Sequence, residues 1–366
     1  MSGVYVSYPF CAQKCTYCNF ASGVFPRDLE PRYIGALLKE LRSIEWPWTP
    51  ETVYLGGGTP SQMNPADLDR VLAAIPGCPW SEATLEAAPG SLSQETVVSW
   101  KRSGINRVSL GVQSFVQREL ARTGRKHTAE VVAHDFEMLR RTGIDNLSVD
   151  LIAGLPGQTS ESWQSSLNWI ERLSPPHVSL YMLEVDEDSR LGHEVLFNGK
   201  RYGAPEIPSD GLIVAFYETG VAFLESLGLR RYEISNFARD GFESAHNLKY
   251  WRRESYLGFG SDAHSFDGEL RWQNIESPSD YVEAIERGDS PRESAELANA
   301  TEEKFFVGLR LASGIRPEGG EWDRFREPID QFIAQGLLES NGGTLRLTDR
   351  GILFSNEVFQ EFIGYD

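Results

Sequence analysis

From residue 4 to about residue 230 the chain alternates short β-branched, apolar runs with longer segments whose apolar positions recur at helical spacing. The strand candidates are residues 4–10, 52–56, 83–87, 107–112, 146–152 and 177–185. Between them, residues 31–44 place Tyr33, Ile34, Leu37, Leu38, Leu41 and Ile44 on one stripe, the signature of a helix covering a sheet. Strand followed by helix, six times over, predicts an α/β fold with a parallel sheet, and six such units predict a partial, TIM-like (β/α)6 barrel.

After the sixth strand the pattern changes. Residues 189–208, with Gly192, Gly199, Gly203, Pro205 and Pro208, read as a loop, and residues 210–227 as a helix. From about residue 290 polar helices take over. Thr301 is an expected N-cap with acids in the first turn, and Phe305, Phe306, Leu309 and Leu311 supply a core side. A helix at 326–338, the turn Gly342-Gly343, a strand at 344–347 and a helix at 349–362 complete a small α+β, winged-helix-like domain. The expected division is a barrel over 1–230, a connecting region over 231–289 and a C-terminal domain over 290–366. Residues 291–366 carry 8 Lys and Arg against 14 Asp and Glu, so this module reads as a lid or partner-docking domain rather than a reader of DNA.

Composition narrows the function. A formal charge of −18 opposes binding to nucleic acid and to anionic membrane surfaces. No run of about 18 apolar residues and no signal-peptide pattern occur, so the chain is expected to be cytoplasmic and not an integral membrane protein. Four cysteines in 366 residues fit a reducing compartment.

The unusual polar residues all fall at the C-terminal ends of the predicted strands, where parallel barrels build their sites. The first strand leads into Cys11-Ala12-Gln13-Lys14-Cys15-Thr16-Tyr17-Cys18, three thiols in eight residues at C-x3-C-x2-C spacing. Three protein ligands leave one metal position open, unlike a closed structural zinc site; a zinc knuckle completed by Cys78 or a histidine is the alternative, with Cys78 otherwise an incidental loop thiol. The second strand ends in Gly56-Gly57-Gly58-Thr59-Pro60, the third in Glu86, the fourth in Gln113, and the fifth in Asp150 and Gly154-Leu155-Pro156; Arg125 follows Gln113 by twelve residues. Glycines admit close backbone approach, carboxylates accept from ribose hydroxyls, and an arginine fork binds a carboxylate. One ligand surrounded on all sides is the expectation.

The cysteine loop resembles the radical S-adenosylmethionine (SAM) signature C-x3-C-x-aromatic-C, and YVSYPFCAQKCTYCNF resembles the oxygen-independent coproporphyrinogen oxidase group, in particular its HemW-type haem chaperones, which follow the third cysteine as Asn19-Phe20 does here. The resemblance spans nearly the whole chain. It implies a 4Fe-4S cluster on Cys11, Cys15 and Cys18, with SAM on the open iron. Around SAM it implies Gly57, Gly58 and Thr59 at the amino end, Glu86 and Asp150 on the ribose, Gln113 and Arg125 on the carboxylate, and Tyr5 and Tyr17 lining the cofactor. One-electron cleavage of the SAM sulfonium is the chemistry implied, and no catalytic residue beyond cluster and SAM is assigned.

Two further motifs bear on the cargo. His246-Asn247-Leu248-Lys249-Tyr250-Trp251 resembles the HN-x-x-YW element of HemW-type proteins and implies haem ligated by His246, the other reading being a histidine bonded within an aromatic cluster. Gly258-Phe259-Gly260-Ser261-Asp262-Ala263 reads superficially as a dinucleotide loop, but no parallel strand clearly precedes it and no helix pattern follows. Relatives carry glycine at the position of Asp262 and asparagine at that of Ala88. A haem chaperone serving acceptor apo-haemoproteins is the first expectation, with a homodimer left open. Oxidative decarboxylation of coproporphyrinogen III is the enzymatic alternative, and a haem-free cluster sensor a third.

Overall fold

The structure is a computed structural model that describes residues 2–364. Strands β1 (Ser2–Tyr8), β2 (Thr52–Gly57), β3 (Glu82–Ala87), β4 (Arg107–Gln113), β5 (Asn146–Ala153) and β6 (His177–Met182) pair in that order, all parallel. Val4, Val6, Val53, Leu55, Leu85, Val108, Leu110, Val149 and Leu151 are fully buried between this sheet and the helices around it. Each such side chain contributes on the order of 1.5–3 kcal/mol by leaving water. Helix Leu29–Ser43 buries the predicted stripe of Tyr33, Ile34, Leu37, Leu38 and Leu41. The expected partial (β/α)6 barrel is therefore present.

Both edges of the barrel sheet are extended. Strands β7 (Arg230–Arg231) and β8 (Asn236–Ala238) add antiparallel beyond β6. On the other side β9 (Ser255–Phe259) lies parallel to β1, followed by antiparallel β10 (His264–Phe266), β11 (Leu270–Asn274) and β12 (Arg292–Leu297). A parallel strand thus does precede the Gly258–Gly260 turn, contrary to expectation. The dinucleotide reading still fails, because a strand and not a helix follows. Gly260, at φ +94°, lets the turn press on Tyr33 and on the Ser7 carbonyl, 2.8 Å from where a Cβ would stand. Asp262 at φ +58° explains why a glycine suits this position. Its carboxylate accepts from Gln273 at 2.8 Å and does not border the main cavity.

The C-terminal region has its own core of Phe305, Phe325, Ile329, Phe332, Leu345 and Phe362, with the rings of Phe305 and Phe362 stacked at 5.0 Å. Asn299, not Thr301, caps helix Ala300–Phe306, its side chain accepting from the Glu302 amide. The helix beginning at Arg326 ends at Ala334; Gly336, at φ +70°, turns the chain so that β13 (Leu338–Asn341) can pair with β14 (Thr344–Leu347). The last predicted helix is two, Asp349–Leu353 and Ser355–Gln360. Residues 189–208 also hold a short helix, Arg190–Leu196, capped by Ser189, whose Leu191 joins Ile152, Leu155 and Leu183 in a small core. No helix among the described residues is long and apolar enough to cross a membrane.

Candidate cofactor site

A cavity of about 1160 Å³ opens at the C-terminal ends of β1–β6. That exceeds the roughly 300–1,000 Å³ typical of a site for one small ligand. Cys11, Cys15, Cys18, Tyr17, Gly57, Gly58, Thr59, Glu86, Gln113, Arg125 and Asp150 all border it. Residues up to 139 positions apart in sequence thus meet at one place because parallel strands end there.

The cysteine loop leaves β1 through Pro9 and is held at both ends by backbone bonds, Cys11 N–H to the Gly23 carbonyl at 2.8 Å and Thr16 N–H to the Thr123 carbonyl at 3.2 Å. Burial pushes the Cys11 thiol up from its ordinary value, while hydrogen bonds from Thr59 and Ser22 pull it back. The described residues contain no group of His, Cys, Asp or Glu tight enough to share a single ion. A cubane takes each thiolate on a different iron, so the three cysteines need not converge on a single ion.

The glycine run does two jobs. A Cβ on Gly58 would stand 2.6 Å from the Phe10 carbonyl, so this glycine is needed for contact with the root of the cysteine loop. The Gly58 and Thr59 amides donate to the Tyr8 and Phe10 carbonyls at 2.7 and 2.9 Å. With those N–H groups turned inward, the run offers a ligand oxygen acceptors, the polarity an ammonium group requires.

Glu86 and Asp150 are half-buried carboxylates on the lumen side, where they border the cavity. Glu86 accepts from the Tyr54 hydroxyl at 2.8 Å and Asp150 from Ser109 at 3.2 Å. Burial, with the charge of Asp150 adding to it, pushes Glu86 up to about 7 against that hydrogen bond. Asp150 is raised by burial as well. Two desolvated acids become comfortable as anions only when hydroxyl donors reach them.

The opposite wall holds Gln113, Arg125 and Tyr17. Gln113 sits at φ +68°, an uncommon conformation for a non-glycine residue, at a break in the β4–β5 register. Arg125 donates one N–H to the Gly111 carbonyl at 2.5 Å. Gln113 Oε1, Arg125 Nε and the Tyr17 hydroxyl are each buried without a hydrogen-bond partner. Buried polar atoms are rarely orphaned, and three beside one cavity fit a polar cofactor that completes them.

Two expected site residues lie elsewhere. Tyr5 does not border the cavity: its ring packs on Tyr54 at 6.1 Å, below Gly56 in the barrel lumen. His246 is farther away, on helix Ala245–Trp251 at the N-terminal end of the barrel. There its Nδ1 meets Thr52 Oγ1 at 2.8 Å and its Nε2 meets the Tyr250 hydroxyl at 2.8 Å. The ring is 1% exposed, and burial, with Lys249 and Arg107 nearby, lowers it to about 3. Glu82 accepts from the Ala245 and His246 amides, both at 2.9 Å, and fixes the helix start. As folded, both ring nitrogens are engaged, so a ligand role at iron would require His246 to leave Thr52 or Tyr250. His127 meets the Val112 carbonyl at 3.1 Å, a structural contact.

Sequence reasoning missed the far wall of the cavity, lined by Ile213, Val214, Ile234, Ile352, Leu353 and Arg310. The only local signal was an arginine inside the apolar run Phe306-Val307-Gly308-Leu309-Arg310-Leu311.

Residues 5–170 match the family described as the Radical SAM superfamily, and residues 296–354 match the HemN C-terminal domain. The chain is 35% identical to the heme chaperone HemW of Lactococcus lactis, over 99% of this chain and 97% of that protein. It is 34% identical to the heme chaperone HemW of Bacillus subtilis, over the full length of both. Among solved structures, coproporphyrinogen III oxidase (HemN) from Escherichia coli, a radical SAM enzyme, superposes with a TM-score of 0.85 over 100% of this chain and 90% of that one, at 20% identity. That likeness bears on the fold.

Proposed function

The chain belongs to the HemW heme chaperone family of the radical SAM superfamily, which implies a 4Fe-4S cluster and SAM, and from that premise we propose that it binds haem and delivers it to acceptor apo-haemoproteins. The observation that carries this reading is the single cavity that continues from the cysteine loop to an apolar wall formed with the C-terminal region. A polar cofactor fits one part and a large apolar ring system the other.

In the cofactor part, Cys11, Cys15 and Cys18 hold the cluster. Glu86 and Asp150 take the ribose hydroxyls, Gln113 and Arg125 the methionyl carboxylate, and Gly57, Gly58 and Thr59 the amino group, with Tyr17 beside the adenine. Together the two cofactors supply one-electron chemistry on the SAM sulfonium. Tyr5 supports this layer from below through Tyr54, which in turn holds Glu86. Haem lies against the apolar wall, and the His246 helix acts as a plug that fixes β2 and β3.

The test is anaerobic. Cluster-reconstituted protein is titrated with haem, followed by its Soret band, and then mixed with an apo-haemoprotein. Saturable 1:1 binding followed by loss of haem to the acceptor is expected. Absence of binding, or conversion of coproporphyrinogen III to protoporphyrinogen IX, would overturn the chaperone reading, the second result in favour of the decarboxylase.

A further inference from the structure

Arg310 ends the 3-10 turn Gly308–Arg310 and forms part of the cavity wall. Its guanidinium lies 4.4 Å from the ring centre of Trp251 and 5.8 Å from that of Phe359. Its Nε is buried without a hydrogen-bond partner, and no ion pair neutralises it among the described residues. Neighbouring arginines differ. Arg231 pairs with Asp349 at 2.5 Å, and Arg253 with Glu303 at 2.7 Å.

The acids nearest in the field of Arg310, Glu233 and Glu184, act on it from beyond ion-pair distance. Glu233 is itself occupied, accepting from the Ser235 amide at 3.2 Å and from the Asn236 side chain. Burial lowers the pKa of Arg310 and raises that of Glu233, and their mutual attraction across the gap offsets this only in part. Leaving an arginine desolvated and unpaired is costly. Two aromatic rings lie against the guanidinium and offer its N–H groups, the fork that binds carboxylates bidentately, no carboxylate partner. SAM's own carboxylate has separate claimants in Gln113 and Arg125 on another wall.

We propose that Arg310 is the anchor for a carboxylate on the rim of the large apolar ligand, a propionate if that ligand is haem, so that the ring system lies over Ile213, Val214, Ile234, Ile352 and Leu353 with its acidic edge at the seam between barrel and C-terminal core. This rests on the haem reading above. It also gives Trp251, the last residue of the HNLKYW motif, a place at the cargo as the platform under Arg310.

The experiment compares haem with haem dimethyl ester, whose propionates are uncharged, on cluster-reconstituted wild-type protein, Arg310→Gln and Arg310→Lys. SAM binding and thermal stability are measured in parallel. Wild type is expected to prefer haem over the ester by about 10- to 100-fold, the range for a charge-assisted hydrogen-bonded pair. Arg310→Gln is expected to bind both equally, at the affinity of wild type for the ester, with SAM binding unchanged. Arg310→Lys keeps the charge but not the fork and is expected to fall between, which guards against misfolding of the neutral variant. If Arg310→Gln, or Arg310→Lys where the former does not fold, keeps the full wild-type preference, the carboxylate is held elsewhere and the anchor is overturned while the haem reading stands. If wild type binds neither compound, the haem reading fails and the anchor with it.

Discussion

His246 and Glu82 at one end of the barrel and Tyr17, Gln113 and Arg125 at the other stand in opposite conditions. At the N-terminal end His246 has both ring nitrogens bonded, and Glu82 accepts from the Ser244 hydroxyl and from two backbone amides. At the C-terminal end Tyr17, Gln113 and Arg125 each keep a buried polar atom without a partner, and two carboxylates share a desolvated space. Satisfied polar groups hold a fold together, whereas unsatisfied ones gathered at a cavity mark what the fold was built to receive. A histidine in a suggestive motif belongs to the first class here, and an arginine in no motif belongs to the second.

The sharpest break between the ends comes from the cysteines. Replacing Cys15 by Ala is expected to abolish the visible iron–sulfur absorption of the thiolate-bound cluster and with it SAM binding at the open iron, while far-UV circular dichroism stays native. Retention of a full iron complement would contradict the assignment.

Next in size is a pair of variants that should trade effects. Arg125→Leu is expected to weaken SAM binding by about 10- to 100-fold, the loss of a charge-assisted bond, with little change in thermal stability. His246→Ala is expected to leave SAM binding intact and to lower stability by about 2–4 kcal/mol, because it strands the Thr52 and Tyr250 hydroxyls and opens a hole. Calorimetry with and without SAM reads both, and a reversed pattern would undo the comparison.

The six parallel strands were legible because each is an apolar run long enough to declare its period, and the site was legible because its residues sit at the ends of those runs. The condition of His246 was not, since Thr52 lies 194 positions away and nothing near the HNLKYW segment announces it. Alternation along β1 turns Tyr5 into the lumen with Ser7, but its stacking on Tyr54 of the neighbouring strand could not be read from β1 alone. Strands of two to five residues, such as β7 and β9, are too short for a period to show. Arg310 needed Trp251 and Phe359, brought together only by packing.

The two ends should also respond differently to pH. Glu86, raised to about 7 in the protein without SAM, accepts ribose hydroxyls best as the anion, so SAM affinity is expected to rise with pH through about 7 and to flatten in Glu86→Gln. The raised carboxyl itself favours folding at low pH and loses that contribution as pH rises from its ordinary value towards 7. His246 acts in the other direction. Its pKa is lowered from 6.5 to about 3, so the unfolded chain binds more protons between those values, and stability falls as pH drops through that window. Melting temperature against pH in wild type and His246→Ala would separate the two slopes.

The smallest effect is expected away from both ends. Asp262→Gly relieves a positive φ but loses the bond to Gln273, opposing changes of about 1 kcal/mol each, so stability should shift by less than either and haem and SAM binding should not change.

The most direct test is the Soret spectrum of haem on cluster-reconstituted His246→Ala, with circular dichroism confirming that the variant is folded. A cargo held in the cavity predicts stoichiometric binding with the wild-type band position. Loss or displacement of that band in the folded variant would make the buried imidazole an iron ligand, reached by pulling helix Ala245–Trp251 out of the barrel, and would contradict the division between the two ends.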